Sequence, residues 1–221
     1  AAPQALLFDT RKSVRQGQLG ANWTQPLGAA ATLRLSTYGG RRDVVQYLAV
    51  PVAAQASPLS AGGVVDLDGG YGGFDARVAW TALEGDFELT VGASGERQDQ
   101  HRRGYENFAD GRLGVRGTLR RDQDDRVRSQ DRYAQAWWRL APRWALQAGA
   151  RHSQVRFRSS DRYITAANPD DSGQAEYARL TPVAGLVFSP GEDWRVYLSA
   201  GRGFETPTFN ELAYRADGQG G

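Results

Sequence analysis

The chain has 221 residues, of which 40% are hydrophobic, 10% aromatic and 24% charged, with a formal net charge of +2. With no Cys, neither a disulfide-stapled module nor a thiolate metal site is possible, and the longest apolar run, residues 47–54, is far too short for a membrane helix and is broken by Pro51. Low net charge and large apolar residues spread along the whole length exclude a disordered chain.

Taken in order, the segments alternate apolar and polar residues with period two. Strands are expected at 12–25, 30–47 and 70–83, then from Phe87, where Phe87, Leu89, Val91 and Ala93 interleave with Glu88, Thr90, Gly92 and Ser94. Ala134, Ala136, Trp138 and Leu140 mark the next strand, followed by 144–158 and 176–188. Trp194, Val196, Leu198 and Ala200 mark the last. A helix would set Phe87 and Leu89 about 200° apart and give no coherent stripe. Pro182, within 176–188, implies a strand end or bulge close by. The reading is all-β, an antiparallel up-and-down meander of about eight strands with no convincing helix.

The connections alternate in length. Short turns are expected near Pro26-Leu27-Gly28, Leu83-Glu84-Gly85, Ala141-Pro142-Arg143 and 189–192, and long loops at 48–69, 98–130, 159–175 and from 204 onward. Sorting of turns and loops to opposite ends is the asymmetry of a transmembrane β-barrel. The six Trp, at 23, 80, 137, 138, 144 and 194, all lie beside expected short turns. An apolar ring with one N–H donor suits a membrane–water interface, so Trp23, Trp80, Trp137, Trp138, Trp144 and Trp194 read as an aromatic girdle. The apolar alternates then face lipid, and Glu88, Gln135, Arg139, Gln147, Arg151 and Arg195 face a wet interior. Many interior positions are Gly, Ser or Ala, too small to fill an eight-stranded barrel, which points to a larger one.

The segment Leu198-Ser199-Ala200-Gly201-Arg202-Gly203-Phe204-Glu205-Thr206-Pro207-Thr208-Phe209-Asn210-Glu211-Leu212 closely resembles a signature of TonB-dependent outer-membrane receptors. The residues carrying it are Arg202, Gly203, Phe204, Glu205, Thr206, Pro207, Asn210, Glu211 and Leu212. Residues 102–108, Arg151-His152-Ser153 and 168–173 resemble the ferric siderophore branch of that family. The resemblance implies a bacterial outer-membrane transporter with a barrel of roughly 22 strands around a plug. It implies uptake of a ferric siderophore or related iron chelate, energy from the TonB complex through an N-terminal region, and no resident cofactor, since iron is chelated cargo. Residues 1–221 then read as part of the barrel domain, an internal slice without plug or terminal strands. This fits a chain that has no Met and ends Gly218-Gln219-Gly220-Gly221.

Pro207 fixes its own φ and holds Thr206 extended, so a structural corner is expected there, with Arg202 and Glu205 placed to pair. Arg and aromatic side chains in the expected loops are the ligand candidates: Arg102, Arg103, Tyr105 and Phe108 in one loop, Tyr163 and Phe209 in others. Guanidinium forks and aromatic faces suit an anionic chelate.

The two His, His101 in an expected loop and His152 on a strand, have no partners at metal-ligand spacing, so no metal site is expected. No Ser elbow or Ser/His/Asp set can be placed, and the 26 Arg are scattered rather than clustered on one element, so neither an enzyme nor a nucleic-acid binder is expected. Outer-membrane lipid and lipopolysaccharide are expected partners. Competing readings are a closed eight-stranded barrel with a structural or adhesive role, an outer-membrane barrel enzyme, and a receptor of the same family for cobalamin or carbohydrate.

Overall fold

The computed structural model describes residues 3–191 and 193–207. A short helix α1 (Gln4–Leu7) leads into β1 (Arg11–Leu27), β2 (Ala31–Tyr47), β3 (Val64–Ala82) and β4 (Phe87–Tyr105). A small hairpin follows, β5 (Phe108–Ala109) and β6 (Arg112–Leu113), and then β7 (Leu119–Ala141), β8 (Trp144–Asp161), β9 (Gly173–Phe188) and β10 (Val196–Gly201). The eight long strands form one antiparallel sheet in the order β1-β2-β3-β4-β7-β8-β9-β10. Among the described residues β1 does not pair with β10, so the sheet is open and is not the small closed barrel of the structural or adhesive alternative.

The short turns, 28–30, 83–86, 142–143 and 189–195, all lie at one end of the sheet, and the long connections lie at the other. Gly28, Leu83, Glu84 and Gly85 reverse the chain with positive φ. The long loops are shorter than expected. They run 48–63, 106–118 and 162–172, because the strands continue well past the apolar alternation. In the outer part of β4, from Glu96 to Arg103, both faces are polar. Hydrophobic period-two patterning therefore vanishes while backbone pairing persists, as in Gly69↔Gln100 and Gln100↔Asp125. α1 and two short 3-10 turns also depart from the expectation of no helix.

Register shows how the two faces differ. Cross-strand partners share a face, so one row runs Leu33↔Val78↔Val91↔Ala134↔Ala150↔Pro182 and the next Ala31↔Trp80↔Leu89↔Ala136↔Ala148↔Ala184↔Ala200. These rows build a continuous apolar band. On β9 it runs from Leu180 to Phe188, eight residue steps or about 26 Å along the strand, which at a strand tilt of about 40° is about 20 Å of height, close to the apolar band of a membrane barrel, about 25 Å tall.

The burial pattern is inverted relative to a domain with an apolar interior. Among the described residues only Phe8, Val44, Val64 and Phe157 are buried apolar side chains, whereas Leu19 is 85%, Leu180 58% and Leu198 76% exposed on the apolar face. A contiguous exposed apolar face of this extent marks a surface made for lipid or for a partner.

Five of the six Trp follow the apolar phase. Trp80, Phe87 and Trp138 contact edge to face across β3, β4 and β7, and Trp144 stacks on Phe188 with centroids 4.4 Å apart. Trp23 shares their face through its partner Leu35, and Trp194 stands two residues before Val196 in the same phase. Trp137 is the exception. Its partners are Glu88 and Gln147 on the polar face, where Arg139 lies over its ring, so it does not share the face of the other five. Adjacent Trp residues on a strand must point to opposite faces.

Pro182 lies inside β9, and the expected strand end belongs to its neighbour. Its carbonyl accepts from the amide of Arg202, just beyond the last β9–β10 pair, Gly201↔Val183. The proline's missing N–H points to that same side, where the regular ladder has ended.

Candidate functional site on the polar face near the loop end

The polar face carries cross-strand rows of its own. Near the short turns these are small or neutral, such as Thr90↔Gln135↔Gly149. Further up, the Ser36 hydroxyl donates to Asn22, and the Tyr133 hydroxyl donates to Asp75 at 2.9 Å with Arg151 over its ring. Glycines sit directly opposite the large rings. Gly92 faces Tyr133, Gly73 faces Tyr38 and Gly40 faces Tyr71, and a Cβ on Gly92 would lie 2.5 Å from the Tyr133 ring. Each ring lies across a glycine and covers backbone that would otherwise be bare.

Toward the loop end this face forms a depression of about 530 Å³ lined by Lys12, Gln16, Gln18, Arg42, Tyr71 and Gln100, among others. The Tyr71 hydroxyl accepts from Gln16 and donates to Gln18, both at 2.9 Å, and Tyr38 donates to Glu96 at 2.7 Å. These bonds fix the aromatic part of the wall. Lys12 and Arg42 are exposed and make no ion pair with the described residues. The wall therefore offers two cations, a tyrosine and several amides, a donor set suited to an oxygen-rich anion.

The residues singled out from sequence do not converge here. Arg102, Arg103 and Tyr105 lie in β4, not in a loop. Consecutive strand residues point to opposite faces, so Arg102 shares the polar face through its partners Leu67 and Gln123, while Arg103 and Tyr105 stand on the other. There Asp66 is buried between Arg103, at 3.5 Å, and Arg116, at 2.9 Å, and Arg116 also covers the Tyr105 ring. These two candidates thus stand in a cluster with Asp66 and Arg116 on the face opposite the wall.

Phe108 is in the β5–β6 hairpin, which a buried amide pair ties to loop 48–63. Asn107 donates to the carbonyls of Leu48 and Val50, Gln55 donates to Val50 and to Asn107, and neither side chain reaches solvent appreciably. Tyr163 lies in loop 162–172, where its carbonyl accepts from Asn168. In the same loop Ser172 donates to Asp170 and holds its carboxyl below the ordinary carboxylate range. His101 is on β4 rather than in a loop and has a carboxylate partner after all, with Nε2 2.6 Å from Asp122. Arg202, Gly203, Phe204, Glu205, Thr206 and Pro207 leave β10 as irregular chain, and Arg202 and Glu205 form no ion pair. Phe209, Asn210, Glu211 and Leu212 lie outside the described residues.

Sequence reasoning missed Lys12, Arg42, Tyr71 and Gln100. Strand parity counted outward from the apolar alternates would have placed all four on the polar face.

Residues 3–221 match the family model described as TonB dependent receptor-like, beta-barrel. The chain belongs to this family. The TonB-dependent receptor barrel is also what its fold resembles among solved structures. The copper transporter OprC matches with a TM-score of 0.73 at 14% identity, covering 92% of this chain and 32% of that one. The ferric citrate transporter FecA, unliganded, gives 0.70 at 12%, covering 86% and 27%. The closed form of the ferric-catecholate import receptor Fiu from E. coli K12 gives 0.65 at 11%, covering 87% and 33%. At these identities the likeness is one of fold. The chain spans about a third of the length of these solved chains or less. The family is one of receptors and transporters.

Proposed function

We propose that this chain is a wall of an outer-membrane TonB-dependent receptor that imports a ferric siderophore or related iron chelate. The apolar face contacts outer-membrane lipid and lipopolysaccharide, the polar face lines the interior, and the TonB complex acts through a region outside this chain. The observation that carries the cargo reading is the pair of unpaired cations, Lys12 and Arg42, beside Tyr71 on the interior wall. A ferric chelate bearing carboxylate or catecholate oxygens presents the negative, planar surface that such groups bind. Ferric citrate and ferric-catecholate receptors among the similar folds support this class. The chain has neither Cys nor Met, so this wall offers no soft sulfur ligand to a bare copper ion.

The test uses the full-length receptor expressed in cells lacking other iron-chelate receptors. Uptake of radiolabelled iron from a ferric hydroxycarboxylate or catecholate complex is expected, and Lys12→Gln with Arg42→Gln is expected to raise the apparent Kd about tenfold or more, the scale of losing one or two charge-assisted hydrogen bonds. Uptake of copper, cobalamin or a saccharide with no iron-chelate uptake would overturn the cargo reading.

A further inference from the structure

The interior wall is not uniformly basic. Glu96 lines the same depression as Lys12, Arg42 and Tyr71. Register orders the rows of the polar face from the loop end downward. They run Gln16↔Arg42↔Gly69↔Gln100, then Gln18↔Gly40↔Tyr71↔Gln98, then Gly20↔Tyr38↔Gly73↔Glu96↔Ser129. Glu96 therefore stands two rows below Arg42, four residue steps or about 13 Å along the strands. It is exposed and makes no ion pair with the described residues, and the adjacent Arg97 points to the other face, where it pairs with Asp99. Around Glu96 on its own face, Gly73 and Ser129 across the strands and Ser94 and Gln98 along β4 are all uncharged. One row further down the diagonal neighbours are acids, Asp131 and Asp75, the latter approached by Arg77 at 3.6 Å. Nothing on the wall neutralises Glu96.

The structural task of Glu96 does not require its charge. Its Oε1 accepts from the Tyr38 hydroxyl at 2.7 Å, and the matching service to Tyr71 is performed by a neutral amide, Gln18, at 2.9 Å. Gln46, Gln98 and Gln100 line the same depression. A glutamine at 96 would hold Tyr38 as well and complete a neutral floor. A carboxylate there opposes a ligand that is anionic throughout, because like charges brought together across an interface are costly. It favours a ligand that brings a cation to this level, since a charge-assisted hydrogen bond is the stronger kind.

We propose that Glu96 is a specificity-determining residue that selects a dipolar iron chelate. The oxygen-rich anionic end of such a ligand meets Lys12 and Arg42, and a protonated amine at its other end donates to Glu96. A primary aliphatic amine is protonated at neutral pH, so the ligand carries this cation without help from the wall. This rests on the cargo reading given above and narrows its chemical class.

The experiment measures binding of two ferric chelates to the full-length receptor in detergent at one ionic strength. Both are complexes of a synthetic tricatecholate chelator with a pendant primary amine, free in the first and acetylated in the second. The parent is expected to bind the free-amine chelate about tenfold more tightly, the scale of one charge-assisted hydrogen bond. Glu96→Gln keeps an acceptor for Tyr38, so its unfolding midpoint is expected to match that of the parent while its affinities for the two chelates converge. Ser129→Lys sets a cation opposite Glu96 without removing it and is expected to erase the preference as well. Lys12→Gln with Arg42→Gln is expected to weaken both chelates by a similar factor and leave their ratio in place. A parent that binds both chelates equally, or a Glu96→Gln variant that keeps the preference, would overturn the proposal and leave the cargo reading standing. A parent that binds neither chelate would also overturn it, and the cargo reading falls with it only if uptake from a ferric hydroxycarboxylate is absent too.

Discussion

Val91→Arg is expected to destabilise the folded receptor in bilayers by about 2–4 kcal/mol, the cost of a cation at mid-depth on the lipid face of a membrane barrel. Val91 stands midway along the outward apolar set of β4, between Leu89 and Ala93, and is paired with Val78 and Ala134, so no neighbouring acid is present to offset the charge. The adjacent Thr90→Arg places the same side chain on the polar face, beside Ala79 and Gln135, and is expected to cost less than about 1 kcal/mol. Denaturant unfolding of both variants of the intact receptor in vesicles measures the difference. Equal penalties for the two would show that the faces are not chemically distinct.

The second large effect is expected one residue further along. Gly92→Ala puts a methyl group 2.5 Å from the ring end of Tyr133 and 3.0 Å from the carbonyl of Ala76. The ring must shift, which breaks its hydrogen bond to Asp75 and disturbs the Arg151 guanidinium stacked on it. Overpacking of this kind costs about 1–3 kcal/mol, and the lost hydrogen bond adds about 1. The mechanism has a signature in a double-mutant cycle. In a Tyr133→Ala background most of the Gly92→Ala penalty is expected to disappear, because the ring clash is gone and only the 3.0 Å approach to the Ala76 carbonyl remains. Additive penalties would place the cause in the strand backbone instead.

Much of this architecture was legible in the sequence, for a physical reason. Wherever one face must meet lipid, apolar residues recur on alternate positions, so Phe87, Leu89 and Val91 or Leu180, Ala184 and Leu186 declare both strand and phase. The same logic fails above the membrane. From Glu96 to Arg103 both faces of β4 are polar, so nothing in the side chains marks the continuing ladder, and the segment reads as a loop although it is fully paired.

That failure displaced the site candidates. Arg102 and Arg103 look equivalent as loop residues but, as neighbours in a strand, they serve opposite faces, and only Arg102 shares the wall with Lys12 and Arg42. Trp137 was misplaced for the converse reason. Proximity to a turn gives depth in the membrane, whereas parity gives the face, and only parity separates Trp137 from Trp138. The Gln55–Asn107 pair had no sequence signal at all, since it joins two loops 52 residues apart through side-chain amides.

The central claim is that one face of this sheet meets lipid and the other lines the interior. Its most direct test is a nitroxide scan of β4 in the intact receptor reconstituted in bilayers, reading collision with dissolved oxygen, which concentrates in the hydrocarbon. Labels at 87, 89, 91 and 93 are expected to show high oxygen accessibility and labels at 88, 90 and 94 low accessibility. A profile without alternation, or with its phase shifted by one residue, would contradict it.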